Sequence, residues 1–317
     1  MNREELENRK REVEDRYGAW ISHNLQLQDD LYTIRRGVAG GNEARVRRVL
    51  QLVADLAHEP IERLRVLDLG AFEGLFAVEL ARRGATVVAV EGREASLEKM
   101  RLAKEALELE NLEVRLEDVR TLDPQRHGKF DVLLCLGLLY HLDAPDVFQL
   151  LEHMRDLCND LVIIETNVAP YPSERREHRG RQYWGLAVPE PPPDTPPLSR
   201  DALWSSIGNP KSFWLTRASL CNVLADMGYS SVLNCHLPPL LEERANRATF
   251  AAFTRARVPI LSVPELNDQA WERLHEPPIP LHIGLQRFPA YRWISALVPQ
   301  RAKELAARIA SRLTWPR

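Results

Sequence analysis

Cysteine is scarce in this chain and follows no pattern. Cys135, Cys158, Cys221 and Cys235 are scattered, and no pair has metal-ligand spacing. Several fall in apolar runs, which predicts buried, reduced thiols and a cytoplasmic setting. No stretch approaches the ~20 apolar residues of a membrane span. The opening residues, Met-Asn-Arg-Glu-Glu-Leu, are charged and show no apolar signal region. Net charge is only −3, which excludes a nucleic-acid-like polycation. There is no internal repeat, and the one low-complexity patch is the proline run at 189–197.

What is present is apolar residue in quantity, 44% of 317, enough for a sizeable core in one large domain or a domain with additions. From 61 to 166 short apolar strands alternate with helical patterns, which implies a parallel sheet with right-handed crossovers. Val66–Leu69 suits a buried strand and runs into Gly70-Ala71-Phe72-Glu73-Gly74, a tight turn before a helix at Leu75–Arg83. The spacing is Asp-x-Gly-x-x-x-Gly, not the Gly-x-Gly-x-x-Gly of a dinucleotide site. Phe72 stands where that fingerprint has its second glycine. Glu73 would repel a diphosphate, whereas a ligand with an ammonium and a sulfonium would tolerate it. S-adenosylmethionine is such a ligand.

At these residues the chain resembles the class I, Rossmann-like S-adenosylmethionine-dependent methyltransferases, over residues 61–256. The resemblance implies an α/β fold: a mostly parallel seven-stranded sheet, helices on both faces, and a C-terminal antiparallel hairpin at Ser231–His236 and Arg247–Thr254. It implies that Glu91, ending the strand Val87–Val90, accepts hydrogen bonds from both ribose hydroxyls. After the third strand, Leu112–Leu116, Asp118 would take the adenine amine, with Val119 beside it. Leu136 ends the fourth strand, and the loop Gly137-Leu138-Leu139-Tyr140-His141-Leu142 would run along the methionine moiety and the acceptor. Asp68 would orient the turn or reach the methionine amine. Gly70 and Gly74 would matter by their lack of side chain. A narrower resemblance, through Gly-x-Leu-Tyr-His and Ser212-Phe213-Trp214, is to the group holding tRNA wobble-uridine methyltransferases and natural-product enzymes. The acceptor does not transfer with it.

Three segments flank or interrupt the domain. An N-terminal helical extension, 1–60, has a solvated charged helix at 2–16. A packing segment follows at Trp20–Thr33, then an amphipathic helix at Asn42–Leu56. Residues 167–215 read as an irregular substrate-side lid, on the side where strand C-termini open. Residues 257–317 read as a basic amphipathic tail. Positions 287–317 hold seven Arg or Lys against one Glu, a local net of +6. That tail suits either an anionic membrane interface or ordinary docking on the core.

Methyl transfer requires alignment of acceptor, methyl and sulfur, and removal of a proton where the acceptor carries one. His141 is the first candidate base, or else it only shapes its loop. Glu165, ending the fifth strand, is the second, or else a buried acid paired with lid arginines. Arg175, Arg176, Arg179 and Arg181, beside Tyr183 and Trp184, either grip an anionic or ring-bearing acceptor or form a solvated loop with Glu174 and Glu177. His178 reads as a surface residue. Tyr140, Phe213 and Trp214 form an aromatic wall or plain core. Trp20, Tyr32 and Thr33 close over the cofactor or simply pack. The expected activity is methyl transfer to oxygen or nitrogen of a small or medium-sized acceptor: a natural product, sugar or lipid-linked intermediate. The alternative is a tRNA-modifying enzyme using the arginine loop and basic tail. A third reading is a binding module that keeps the fold without turnover.

Overall fold

The computed structural model describes residues 1–35, 42–192, 195, 196, 199–235, 246–269 and 272–279. Strands are β1 (Gln26–Gln28), β2 (Leu31–Tyr32), β3 (Arg65–Leu69), β4 (Thr86–Glu91), β5 (Leu112–Leu116), β6 (Phe130–Leu136), β7 (Cys158–Asn167), β8 (Glu174–His178), β9 (Arg181–Pro189), β10 (Lys211–Leu215), β11 (Ser231–Cys235) and β12 (Arg247–Phe253). Helices are α1 (Arg3–Tyr17), α2 (Asn42–Leu56), α3 (Leu75–Ala81), α4 (Glu94–Ala106), α5 (Pro124–His127), α6 (Asp146–Leu157), α7 (Arg200–Leu203) and α8 (Arg217–Asp226). The residues up to Glu276 form one compact unit.

Seven strands build the central sheet in the order β11-β12-β7-β6-β3-β4-β5. The pairs from β7 to β5 are parallel, while β12 pairs antiparallel with both β7 and β11. The expected fold class is therefore the observed one. β3, β4 and β6 are largely apolar on both faces, because side chains alternate and helices cover both sides, whereas the edge strand β5 carries Glu113 and Arg115 on one face. Val66, Val87, Val132 and Ile163 join Leu6, Val53, Phe76 and Met100 in one core layer. Leu67, Val88, Leu133 and Ile164 join Phe148, Leu151 and Leu224 in the other. Cys135 and Cys158 are buried, and all four cysteines are free thiols.

Local chemistry sets the ends of several elements. Asn2 caps α1 by accepting the Glu5 N–H, and Thr216 caps α8 by accepting that of Ser219. Ahead of α6, which starts at Asp146, the Asp143 side chain accepts the N–H of Ala144. Among the described residues, no helix is long and apolar enough to cross a membrane.

The segment read as an irregular lid contains a small sheet of its own. β8, β9 and β10 form a three-stranded antiparallel sheet in the order β10-β9-β8. Its hairpin turns at Arg179 and Gly180, both at positive φ (50° and 72°), as a two-residue hairpin turn requires. The charged run 174–182 gives no alternating apolar signal, so its pairing is invisible to periodicity. The Trp20–Thr33 segment packs as expected, with Trp20, Leu25 and Leu27 buried. The basic tail, 287–317, lies outside the described residues.

Candidate functional site

A cavity of about 710 Å³ opens where β3, β4, β6 and β7 end. This is the edge at which the strand order reverses between β3 and β6, where open α/β sheets take their ligands. Its volume lies within the ~300–1,000 Å³ of small-molecule sites.

The glycine turn after β3 forms one wall. Gly70 has φ +63°, and a Cβ there would stand 3.1 Å from Leu138 Cδ1. Phe72 also adopts a left-handed conformation, φ 54°, uncommon for a bulky residue. That conformation aims its N–H at Glu91, whose Oε2 accepts it at 2.8 Å, while Oε1 accepts the Arg93 N–H at 2.8 Å. Burial raises the Glu91 carboxyl above its ordinary range, and the two amides oppose the rise.

Asp68 lines the same wall and is 2% exposed. Its Oδ2 has no hydrogen-bond partner among the described residues. Burial, then the neighbouring Glu91 charge, pushes its carboxyl up to about 7. An unpartnered carboxylate oxygen on a residue of the cavity lining can receive a cationic or N–H-bearing group. Asp118 also lines the cavity and is paired with Arg120, which holds its carboxyl low. Val119, Leu136 and Phe72 complete the apolar lining on this side.

Glu73 and Gly74 belong to the turn but do not line the cavity. Glu73 is fully buried and accepts the N–H groups of Ile21, Ser22 and His23 at 2.8–3.0 Å, with Lys99 Nζ at 3.3 Å. It ties the N-terminal segment down instead of facing a ligand. Gly74 caps α3 at φ +86°, where a Cβ would press on Met100 Cγ at 2.6 Å. Tyr32 and Thr33 are likewise set back. Thr33 Oγ1 accepts the Leu25 N–H and donates to the His23 carbonyl, so it shapes the loop that presents Ser22 and His23 to the cavity. Burial, reinforced by the Arg45 charge, lowers His23 to about 3, so it is neutral at working pH.

The opposite wall follows β6. His141 and Tyr140 line it, their ring centroids 4.2 Å apart. His141 Nδ1 lies 3.3 Å from Glu190 Oε1. Glu190 also accepts the Ser212 hydroxyl at 2.7 Å and the Ser206 N–H at 2.9 Å. Burial would raise its carboxyl, but these donors outweigh burial and hold it low. Glu190 sits inside the proline run, where sequence composition reads as loop; no spacing links it to His141. Trp214 lines the cavity and donates from Nε1 to the Tyr140 carbonyl at 2.9 Å.

Several expected acceptor residues lie elsewhere. Phe213 alternates with Trp214 on β10, so it points away and is buried in the core. Tyr183 is buried in the same layer, its hydroxyl donating to Asp226 at 2.7 Å. Trp184 is half-buried outside the cavity lining. Arg176, Arg179 and Arg181 are matched by Glu174, Glu152 and Asp226, which removes the expected anion-gripping cluster. His178 is no plain surface residue: it stacks on Phe148 and meets Glu152 at 2.7 Å. Glu165 is 1% exposed and lies beneath the wall, its two oxygens engaged by Arg45 and Arg247. Burial would raise its carboxyl, but the two guanidiniums hold it low, and they come from α2 and β12, not from the lid.

The cavity thus offers, in one lining, an unpartnered carboxylate, a strand-end acid at a glycine turn, and a histidine. The family described as "Methyltransferase domain" matches residues 66–160. A ubiquinone biosynthesis O-methyltransferase of Acinetobacter baylyi is 35% identical over 81 residues, covering 26% of this chain and 34% of the relative. One of Rickettsia typhi is 26% identical over 150 residues, covering 46% of this chain and 56% of the relative. The chain therefore spans only part of the length of these curated relatives. Among solved structures, the N-terminal domain of EvdMO1 in the presence of SAH and D-fucose is similar over 81% of this chain and 98% of that one, with 26% identity and a TM-score of 0.61. Glu91 and the glycine turn lie within the matched residues, at the sheet edge where such a cofactor belongs. Residues 66–160 and the sheet built around them are accordingly a class I, Rossmann-like S-adenosylmethionine-dependent methyltransferase domain, with S-adenosylmethionine as its cofactor.

Proposed function

We propose that the chain transfers a methyl group to a hydroxyl of a small, sugar-like acceptor, within the broader class of oxygen and nitrogen acceptors. The observation that carries this reading is one cavity holding Asp68 and Glu91 on one wall and His141 with Glu190 on the other. Asp68 would take the amino group of the cofactor, Glu91 its ribose hydroxyls, and Asp118 its adenine. S-adenosylmethionine supplies the activated methyl group when bound. His141 would then receive the acceptor proton at Nε2, while Glu190 holds the opposite ring nitrogen and fixes the ring's orientation. Tyr140, Trp204 and Trp214 offer rings for the face of a sugar, and D-fucose accompanies the similar EvdMO1 domain. The domain would span 61–256, with 1–60 packed on it and 167–215 walling the acceptor side. The four free thiols fit a cytoplasmic setting.

The test is transfer of isotope-labelled methyl to a panel of free and lipid-linked sugars, with S-adenosylhomocysteine affinity measured by calorimetry. Tight binding with sugar methylation is expected. Binding without methylation of any oxygen or nitrogen acceptor would favour a module without turnover.

A further inference from the structure

At the acceptor end of the cavity two guanidinium groups, Arg45 and Arg247, meet one buried carboxylate, Glu165. Arg247 begins β12 opposite Asn167, the last residue of β7, and Glu165 lies two residues back on β7. In a strand those β7 positions share a face. Arg45 reaches the same carboxylate from α2: its Nε meets Glu165 Oε2 at 3.0 Å. Arg247 meets Oε1 through Nε and Nη2. Both arginines line the cavity, and Glu165 does not. The arginine side chains are 20% and 25% exposed against 1% for the carboxylate, so a ligand arriving here meets cations.

The cations at the other end of the cavity are committed differently. Arg93 binds the carbonyls of Ala202, Ser205 and Ser206, and Arg120 lies between Asp118 and Asp146. Asp68 and Glu91 thus lie toward the cofactor side and the guanidiniums of Arg45 and Arg247 toward β7 and β12, while the Glu190 carboxylate is engaged by His141, Ser206 and Ser212. Asn167 adds a second observation. It is 4% exposed and lines the cavity, and its Oδ1 has no partner among the described residues. Tyr140 connects this end to the proposed base. Its hydroxyl accepts from Arg247 Nη1 at 3.3 Å, and its ring lies 4.2 Å from that of His141.

We infer that the acceptor carries an anionic group, a carboxylate or a phosphate, held by Arg247 and Arg45. A hydroxyl beside the anion bonds Asn167, and the hydroxyl to be methylated faces His141 across Tyr140. This deepens the proposed methyl transfer to a sugar-like hydroxyl and rests on it. Guanidinium forks match the geometry of both anions, so the arginines alone do not choose between them.

D-fucose, D-galacturonate and D-galactose 6-phosphate share one ring and differ at C6, which is a methyl, a carboxylate and a methylene carrying a phosphate ester. Their affinities for the full chain saturated with S-adenosylhomocysteine are measured by ligand-observed NMR at low salt. The expected result is that at least one anionic sugar binds about tenfold or more tighter than D-fucose, the increment of a charge-assisted hydrogen bond. Whichever anion wins names the group. Arg247→Gln and Arg45→Gln should each reduce that preference while leaving S-adenosylhomocysteine affinity unchanged, which also reports that each variant folds. Equal affinity of all three sugars, no binding by either anionic sugar, or a preference that survives both substitutions would overturn the inference. Failure of the unaltered chain to bind S-adenosylhomocysteine would instead strike the methyltransferase reading beneath it.

Discussion

Nδ1 of His141 lies 3.3 Å from Oε1 of Glu190, a residue 49 positions further along the chain. A carboxylate on one ring nitrogen fixes the orientation of the imidazole and favours the cation formed when the other nitrogen takes a proton. Glu190→Gln keeps the size and a hydrogen-bonding oxygen but removes the charge. We expect kcat to fall about 10–100-fold with the KM for S-adenosylmethionine unchanged, and Glu190→Asp to restore part of the loss. His141→Ala should cost about 10²–10⁴-fold in kcat, the range of a general base. Steady-state kinetics decides. If kcat stays within about threefold in both variants while thermal stability drops, the pair merely holds the loop.

Asp68 makes cofactor affinity depend on pH. Burial, then Glu91, raises its carboxyl from an ordinary 3.8 to about 7. A raised acid is neutral in the free protein below that value, and a cationic ligand favours its ionised form. Binding should therefore release a proton below about pH 7, and affinity should fall by up to about tenfold per pH unit on further acidification. For folding the sign is opposite to that of a salt-bridged acid. Asp68 favours the folded state at acid pH, and this contribution is lost as pH rises from 3.8 to about 7. Calorimetry in two buffers of different ionisation enthalpy measures the released proton directly. Asp68→Asn should abolish the release, and a release that persists would reassign it to another group.

The half of the cavity lined from β3 and β4 was legible in the sequence because local spacing carries it. A strand, a glycine turn and an acid one strand later must lie side by side once the sheet is parallel, so Asp68, Gly70, Glu91 and Asp118 meet as expected. The acceptor half was legible only in part: Tyr140, His141 and Trp214 were named from the sequence and line the cavity, whereas Arg45, Glu190 and Arg247 come from α2, the proline run and β12, and only the folded sheet brings them there. Side-chain direction also misled. Phe213 and Trp214 are adjacent in sequence, yet alternation sends the first into the core and the second to the cavity. Glu73 sits in the cofactor turn, but its partners are three amides some fifty residues earlier, which no local pattern encodes.

The glycine turn and Glu91 should each be needed for cofactor affinity. Glu91→Ala removes the proposed ribose acceptor and also frees the Phe72 and Arg93 amides. We expect a loss of at least about 1.5–3 kcal/mol in S-adenosylhomocysteine binding, as for hydrogen bonds to a charged group. Gly70→Val places a branched side chain at φ +63° with its Cβ 3.1 Å from Leu138. The left-handed conformation alone costs about 1–2 kcal/mol for a residue with a Cβ. Calorimetry on both variants checks this. Unchanged affinity in both would remove the turn from the cofactor site.

The Glu73–Lys99 pair predicts stability, not catalysis. Both side chains are at most 1% exposed, and Lys99 Nζ also donates to the Ala19 carbonyl at 2.8 Å. With the amides of Ile21, Ser22 and His23, Glu73 fastens the segment that precedes β1 to the start of α3. Removing one partner leaves the other charge buried and unmatched. Lys99→Met should therefore cost about 3–5 kcal/mol of unfolding free energy, and Glu73→Gln, which keeps an acceptor for the amides, should cost less. Because His23 lines the cavity, loosening this segment should also weaken S-adenosylhomocysteine binding, whereas kcat at saturating cofactor should change little. Urea unfolding together with calorimetry separates the two effects. A Lys99→Met variant as stable as the parent would mean that the segment is held by its apolar contacts, Trp20 and Leu25, and that the buried pair adds nothing.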